Sequence, residues 1–409
     1  MLIDGFMMTT LKENTVAFLF AFRAITYVWL AFASEVYMPL FGKLVTILRY
    51  GTMPVGIFYI LVKNNKIKLS DCIALLPLLY YWLMLVFNTY GGYYGSYIHE
   101  VVSIGCFLVM DKKMKTKVFR YFYKIILYLS AVSILIYVMY ILRIPIGFQR
   151  LPFYNDGVQT SYYQRWSIFA IVDSGYSIPR LCCVFNEPGG FGTVAGLLFA
   201  AVFHNSKKWE KCVLFFSILF SFSLAGYILM TVYLIIYLTQ KKIRYALFSV
   251  GLIVFVLLIP KIDWHNDKIN SFAQRFAITA NGIAGDNRTQ TSFDREYDKI
   301  IHSSDAVFGK GANYTEGNAT SSYKNFIVQF GFVGFGIFLS LWLWAALTKA
   351  SGNKDCFNLL FLFLISIYQR PVTLINTYGY VVVFGGFSWI LNGSNGEIED
   401  KLVGPTITV

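Results

Sequence analysis

The feature that most constrains this chain is a recurrence of long apolar runs separated by short lysine tracts. Most runs are long enough to cross a hydrocarbon core of roughly 30 Å at about 1.5 Å per helical residue. Hydrophobic residues make up 56% of the chain and charged residues 14%. A soluble domain has too little interior for that much apolar surface, because its surface-to-volume ratio demands a polar shell. Lipid is the natural solvent for such a chain. Read in order, the runs predict about 12 helical spans. They fall near 15–34, 44–62, 71–88, 96–110, 122–143, 189–204, 210–223, 225–239, 245–260, 324–347, 356–370 and 377–392. The expected fold class is an all-α polytopic integral membrane protein. Residues 1–393 form a single transmembrane domain, and 394–409 a polar cytoplasmic tail without fixed structure. No small-residue cleavage site follows the first run, which reads as a retained helix.

The net charge of +13 invites a nucleic-acid reading. Its distribution argues against one. Lysines gather between apolar runs, at Lys63, Lys66 and Lys68, at Lys112, Lys113, Lys115 and Lys117, at Lys207, Lys208 and Lys211, at Lys241 and Lys242, and at Lys349 and Lys354. They alternate with lysine-poor connections, which is the pattern of the positive-inside rule. All the tracts share one side only if the chain turns near Ala225-Gly226 to make two short helices rather than one long one. Both termini then lie in the cytoplasm. Two long connections, about Ile144 to Pro188 and Lys261 to Tyr323, lie on the opposite face. Loops of this length carry function or small helices of their own.

Those loops hold the arginines. The first has Arg150, Arg165 and Arg180, and the second Arg275, Arg288 and Arg295. A guanidinium is permanently charged and presents a fork of donors suited to phosphate oxygens. Pairing with neighbouring aspartates on a solvated surface is the bland reading for any single one. The most pointed segment is Arg180-Leu-Cys-Cys-Val-Phe-Asn-Glu187-Pro188-Gly189-Gly190-Phe-Gly192. Pro188 suits a first helical turn, and Glu187 beside it suits the positive end of a helix dipole. Glu187 is thus either a helix-start residue or a carboxylate at the membrane surface that accepts a proton from an attacking hydroxyl. Arg370 sits at an outer span end before Pro371 and joins the candidate set. Arg23 and Arg49 lie within spans, where charge is costly, and Arg23 has no evident role.

Other signals are weaker. The six cysteines are scattered without metal spacing and read as buried thiols. The four histidines show no ligand pairing, so neither a metal ion nor another cofactor is implied; His302 is an alternative base. The Asn-x-Thr triplets at Asn287, Asn313 and Asn318 matter only in a eukaryotic secretory pathway. Aromatic residues of the first loop (Phe153, Tyr154, Tyr162, Tyr163, Trp166, Tyr176) suit interface anchoring or packing on sugar rings.

With these residues in place, the layout resembles the bacterial O-antigen and exopolysaccharide polymerase family, the Wzy-type proteins. Arg180 through Gly192 resembles the family's arginine followed by Glu-Pro or Asn-Pro at a helix start. Ser221-Phe-Ser223-Leu-Ala-Gly226 resembles its Ser-x-Ser-x-Gly stretch at a helix break. Thr291-Ser-Phe-Asp-Arg295 followed by Phe308-Gly-Lys-Gly311 resembles its second periplasmic loop. The resemblance implies a metal-independent, GT-C-like glycosyltransferase of the inner membrane with its active site facing the periplasm. The implied substrate is an undecaprenyl-pyrophosphate-linked oligosaccharide, with membrane lipid and a chain-length regulator as further partners and no nucleic acid. Arg180 and Arg295 would bind pyrophosphate, with Arg275, Arg288 and Arg370 behind them, and Glu187 would be the base. Related O-antigen ligases carry a His-Asn-type motif where this chain reads Thr320-Ser-Ser-Tyr-Lys-Asn325. A flippase would instead show short loops and internal repeats, and a membrane O-acyltransferase an intramembrane histidine in a suitable setting.

Overall fold

The computed structural model describes residues 2–28, 39–63, 68–87, 95–155, 158–175, 178–241, 251, 254, 258–279, 282–283, 291–311, 314, 323–369 and 374–393. Five helices come first: α1 (Leu2–Val28), α2 (Pro39–Lys63), α3 (Leu69–Phe87), α4 (Gly95–Val109) and α5 (Lys112–Ile141). Four strands follow, β1 (Gln149–Asn155), β2 (Val158–Trp166), β3 (Phe169–Asp173) and β4 (Arg180–Cys183). Helices α6 (Pro188–Val202), α7 (Lys208–Ser221) and α8 (Leu224–Lys241) come next, then α9 (Asp267–Gln274), α10 (Thr291–Ile301) and α11 (Asp305–Phe308). The chain closes with α12 (Tyr323–Ala350), α13 (Lys354–Gln369), α14 (Thr377–Tyr380) and α15 (Gly386–Gly393). A π-helical stretch, Val381–Gly385, joins the last two.

The fold is mostly helical, as the apolar runs predicted. Among the described residues four helices have the length and composition to cross a membrane, Val45–Lys63, Leu69–Phe87, Lys112–Ile141 and Tyr323–Ala350. Ile98–Val109, Pro188–Val202 and Leu224–Gln240 are apolar but shorter. The expected span at 245–260 lies largely outside the described residues, and the tail 394–409 wholly so. Outward faces are strongly apolar: Leu61 is 72% exposed and Phe87 82%. Water would penalise such faces heavily, whereas hydrocarbon does not.

One expectation needs correction. The first long loop carries no small helix among its described residues but an antiparallel sheet in the order β1-β2-β3-β4, so the fold is not purely α. The cause lies in Phe169-Ala-Ile-Val172, a run rich in β-branched and aromatic residues that fills a sheet well and is buried throughout. Ser167, in the left-handed region at φ 54°, turns β2 into β3.

At the centre stands α6, every residue of which is buried. Its sequence is apolar all round, the composition of a helix with neighbours on each side. Around it lie α7, α8, α13, α15 and β4. A second device shapes α12, which kinks at Gly331 (φ 68°). There the Gly309-Lys310-Gly311 backbone pairs with the helix, Lys310 N donating to Val328 O (2.8 Å) and Gly311 N to Gln329 O (3.0 Å). A Cβ on Gly331 would lie 2.2 Å from Val307 O, so no other residue fits.

Candidate functional site

The Arg180–Glu187 segment is held at both ends by tyrosines. Tyr137 near the end of α5 donates to Pro179 O at 2.8 Å, and Tyr163 of β2 donates to Asn186 O. Between these pins β4 pairs with β3, with Arg180 opposite Val172 and a bulge between Ala170 and Ile171. Leu181 through Phe185 are buried, while Arg180 and Glu187 stay half-exposed. Burial pushes the Cys183 thiol up to about 12 and raises that of Cys182 as well. Glu187 caps α6 in an extended conformation (φ −150°, ψ 149°), with Pro188 in the first turn as its fixed φ predicts. Its position matches a helix-start residue, and its carboxylate makes no capping hydrogen bond to the helix amides.

Helix α7 ends against this segment. The break comes at Phe222-Ser223, a few residues before the expected Gly226, and Phe222 takes the left-handed conformation (φ 46°). Ser223 then caps α8, accepting from Gly226 N at 3.3 Å and donating to Gly189 O of α6 at 3.4 Å. Gly226 serves close approach rather than turning: a Cβ there would sit 2.9 Å from Gly192 O. A Cβ on Gly192 would in turn lie 2.4 Å from Ser223 Cβ. Glycines thus let α6 lie against the α7–α8 break, as small residues do between membrane helices.

A helix end leaves carbonyls without intrahelical partners. Here Tyr227 OH donates to Leu219 O at 2.6 Å. Arg180 Nε donates to Ser221 O and Arg275 Nη1 to Phe222 O, each at 3.3 Å. Two arginines from the two long loops therefore meet on consecutive carbonyls, at the negative end of the α7 dipole. The second loop reaches this place because Phe272 and Phe276 pack on Phe222 and Tyr227, with Phe222 and Phe272 rings 5.0 Å apart. Arg275 follows α9 as its C-terminal cap residue. Burial draws its guanidinium down from its ordinary value, which is high enough that the group stays a cation.

Of the arginines expected to act together, the structure thus joins Arg180 and Arg275. Arg295 stands exposed on α10, whose other face (Phe293, Tyr297, Ile300) packs on Ile327 and Val328. No described contact ties it to the pair. Arg288 and Arg370 lie outside the described residues, as do the three Asn-x-Thr asparagines and Tyr176. His302 is exposed with Nδ1 2.7 Å from Asp298 O. In the first loop Arg150 stacks over the Tyr162 ring at 3.6 Å, and the buried Tyr163 is a brace rather than a sugar platform.

Sequence reasoning left Arg23 without a role. The structure gives it one. Arg23 is buried (1% exposed) and ion-paired with Glu100 (2%). It also donates to Arg49 O and, at 3.2 Å, to His99 O. Glu100 Oε1 accepts from both N and Oγ1 of Thr377 at 2.6 Å. The network ties α1, α2 and α4 to the start of α14. It is a satisfied buried pair, the form in which charge survives a low dielectric.

Comparison with protein-family models, with curated proteins and with solved structures finds no match for this chain. Two guanidiniums anchored on consecutive carbonyls are suited to an anion of two linked phosphates. A carboxylate on the rigid β4–α6 connection stands nearby, its charge felt at Cys182 together with that of Arg180.

Proposed function

We propose that this chain is a polysaccharide polymerase of the inner membrane, with about 12 spans, both termini in the cytoplasm and the Arg180–Arg275 end facing the periplasm. It transfers a growing glycan from undecaprenyl pyrophosphate to the non-reducing end of a lipid-linked repeat unit. The observation that carries the reading is the meeting of Arg180 and Arg275, one from each long loop, beside the Glu187-Pro188 start of α6. In the reaction the acceptor hydroxyl attacks the anomeric carbon of the donor glycan. The new C–O bond forms as the bond from that carbon to the pyrophosphate oxygen breaks. Glu187 takes the hydroxyl proton, and the arginines stabilise the charge that gathers on the departing pyrophosphate. The leaving group is already activated, so positioning supplies much of the rest.

The decisive experiment deletes the gene in its host and resolves surface glycans by length. A polymerase defect leaves single repeat units on the surface and removes long chains; a ligase or flippase defect leaves no surface glycan. Complementation with Glu187→Gln at normal protein level should fail to restore long chains. Normal chain lengths in that strain would sink the assignment of Glu187.

A further inference from the structure

The strongest unassigned feature lies at the opposite end of the bundle. Three lysine tracts that are far apart in sequence converge on one cavity of about 490 Å³. Lys68 comes from the approach to α3, Lys112 and Lys115 from the first turns of α5, and Lys349 from the last turn of α12. Two carboxylates share the cavity, and both are already engaged. Asp71 accepts from Lys349 Nζ at 2.5 Å. Asp111 caps α5, accepting from Met114 N at 2.6 Å. Lysines outnumber aspartates, so the cavity carries net positive charge.

Lys115 is the decisive group. It is buried (7% exposed), and among the described residues its hydrogen-bond partner is Leu108 O, at 2.6 Å from Nζ. An ammonium has three donors, so two remain beyond that bond on a side chain that lines the cavity. Buried charge is retained where an opposite charge can meet it. The α5 helix also begins here, with its positive dipole end. Ser351 and Ser388 add hydroxyls at the wall, while Phe384, Phe387 and Leu391 provide apolar lining. A cationic pocket with an apolar side suits an anionic headgroup that trails hydrocarbon.

We infer that this cavity binds a phosphate-bearing anion, the headgroup of an anionic phospholipid, held by Lys68, Lys112, Lys115 and Lys349. A free phosphate ion would use the same donors, and the test separates the two. The inference is independent of the proposed polymerase activity.

The full-length protein in detergent is titrated with phosphatidylglycerol, with phosphatidylcholine and, separately, with inorganic phosphate, and binding is read by native mass spectrometry and thermal shift. Phosphatidylglycerol should bind in preference to phosphatidylcholine. Lys68→Gln with Lys112→Gln should weaken phosphatidylglycerol by roughly 30-fold and leave phosphatidylcholine unchanged. Lys115→Met loses the bond to Leu108 O and can fail to fold, which is why the exposed pair Lys68 and Lys112 carries the test. Lys113→Gln with Lys354→Gln removes the same charge away from the cavity and should change nothing. Stabilisation by phosphate alone, lost in the Lys68 and Lys112 variant, keeps the anion site and assigns it to a soluble ligand. Equal binding of the two lipids, or equal loss in the control variant, overturns the inference.

Discussion

At one end of the bundle the cations are arginines tied to main-chain carbonyls; at the other they are lysines gathered round a cavity. Helix α5, with 30 residues and so about 45 Å long at 1.5 Å per residue, starts at the lysine cavity and carries Tyr137, one of the two tyrosines that brace the Arg180 segment, near its other end. The difference follows from the side chains. A guanidinium is a rigid fork that can spend one donor on a carbonyl and keep its orientation for an anion. An ammonium is a compact charge on a flexible stem, suited to a ligand whose position varies. The arginine end is therefore built for fixed geometry, and the lysine end for attraction.

The largest expected effect falls on the buried charge network that ties α1, α2 and α4 to the start of α14. Arg23→Met strands Glu100 as an unpaired buried carboxylate and should cost about 3–5 kcal/mol, read as a lower Tm in detergent. Arg23→Met with Glu100→Met should recover most of it. A single variant as stable as the parent would show that water reaches the network. Next comes chemistry: Arg180→Ala or Arg275→Ala should lower polymer formation by about 10²–10³-fold. Arg180→Lys should not rescue it, whereas Lys112→Arg at the other end should be tolerated. If Lys serves as well as Arg at position 180, the rigid fork of a guanidinium is not what that site requires.

Packing is the third test. Gly192→Ala puts a methyl 2.4 Å from Ser223 Cβ and should cost about 1–3 kcal/mol through forced repacking, measured by thermal unfolding. Gly352→Ala, in a turn at the lysine end with open space around its Cβ, meets only backbone strain at φ 71° and should cost less. The gentlest test changes no stability. Cys182 and Cys183 are buried at the arginine end, whereas Cys72 and Cys212 are exposed near the starts of α3 and α7. Burial raises the Cys183 thiol to about 12, which keeps it protonated and unreactive at neutral pH. An impermeant maleimide should label the exposed Cys72 and Cys212, from the cytoplasmic side only, and spare the buried Cys182 and Cys183. Labelling of Cys72 or Cys212 from the periplasmic side would reverse the proposed topology.

Helical architecture was legible in the sequence because long apolar runs bounded by polar tracts set the positions of apolar helices. The helix boundaries at Pro188 and near Gly226 were legible too, since Pro and Gly act locally. Gly226 misled on mechanism. It marks a close approach to Gly192, a contact with no local signature, while Ser223 does the capping. The sheet was overlooked because a search for apolar runs of span length passes over five-residue strands such as Phe169–Asp173. The pairing of Arg180 with Arg275 was beyond sequence reading. It depends on Phe272 and Phe276 landing on Phe222 and Tyr227, and two loops of one chain carry no mark of which aromatic meets which. Arg23 illustrates the same limit, since its partner Glu100 lies on another helix.

The complete enclosure of α6 also has a consequence for biogenesis. In the proposed membrane topology helices insert in order of synthesis, and two of the walls around α6, α13 and α15, are made last. Until they arrive, a helix rich in glycine and alanine has one flank facing lipid, and the Glu187 connection above it is only partly walled. The loops that bear Arg180 and Arg275 are synthesised well before that flank is covered. Ribosome-bound chains halted before Lys354 should therefore expose the α6 flank to lipid-phase crosslinkers, and release of the full chain should close it.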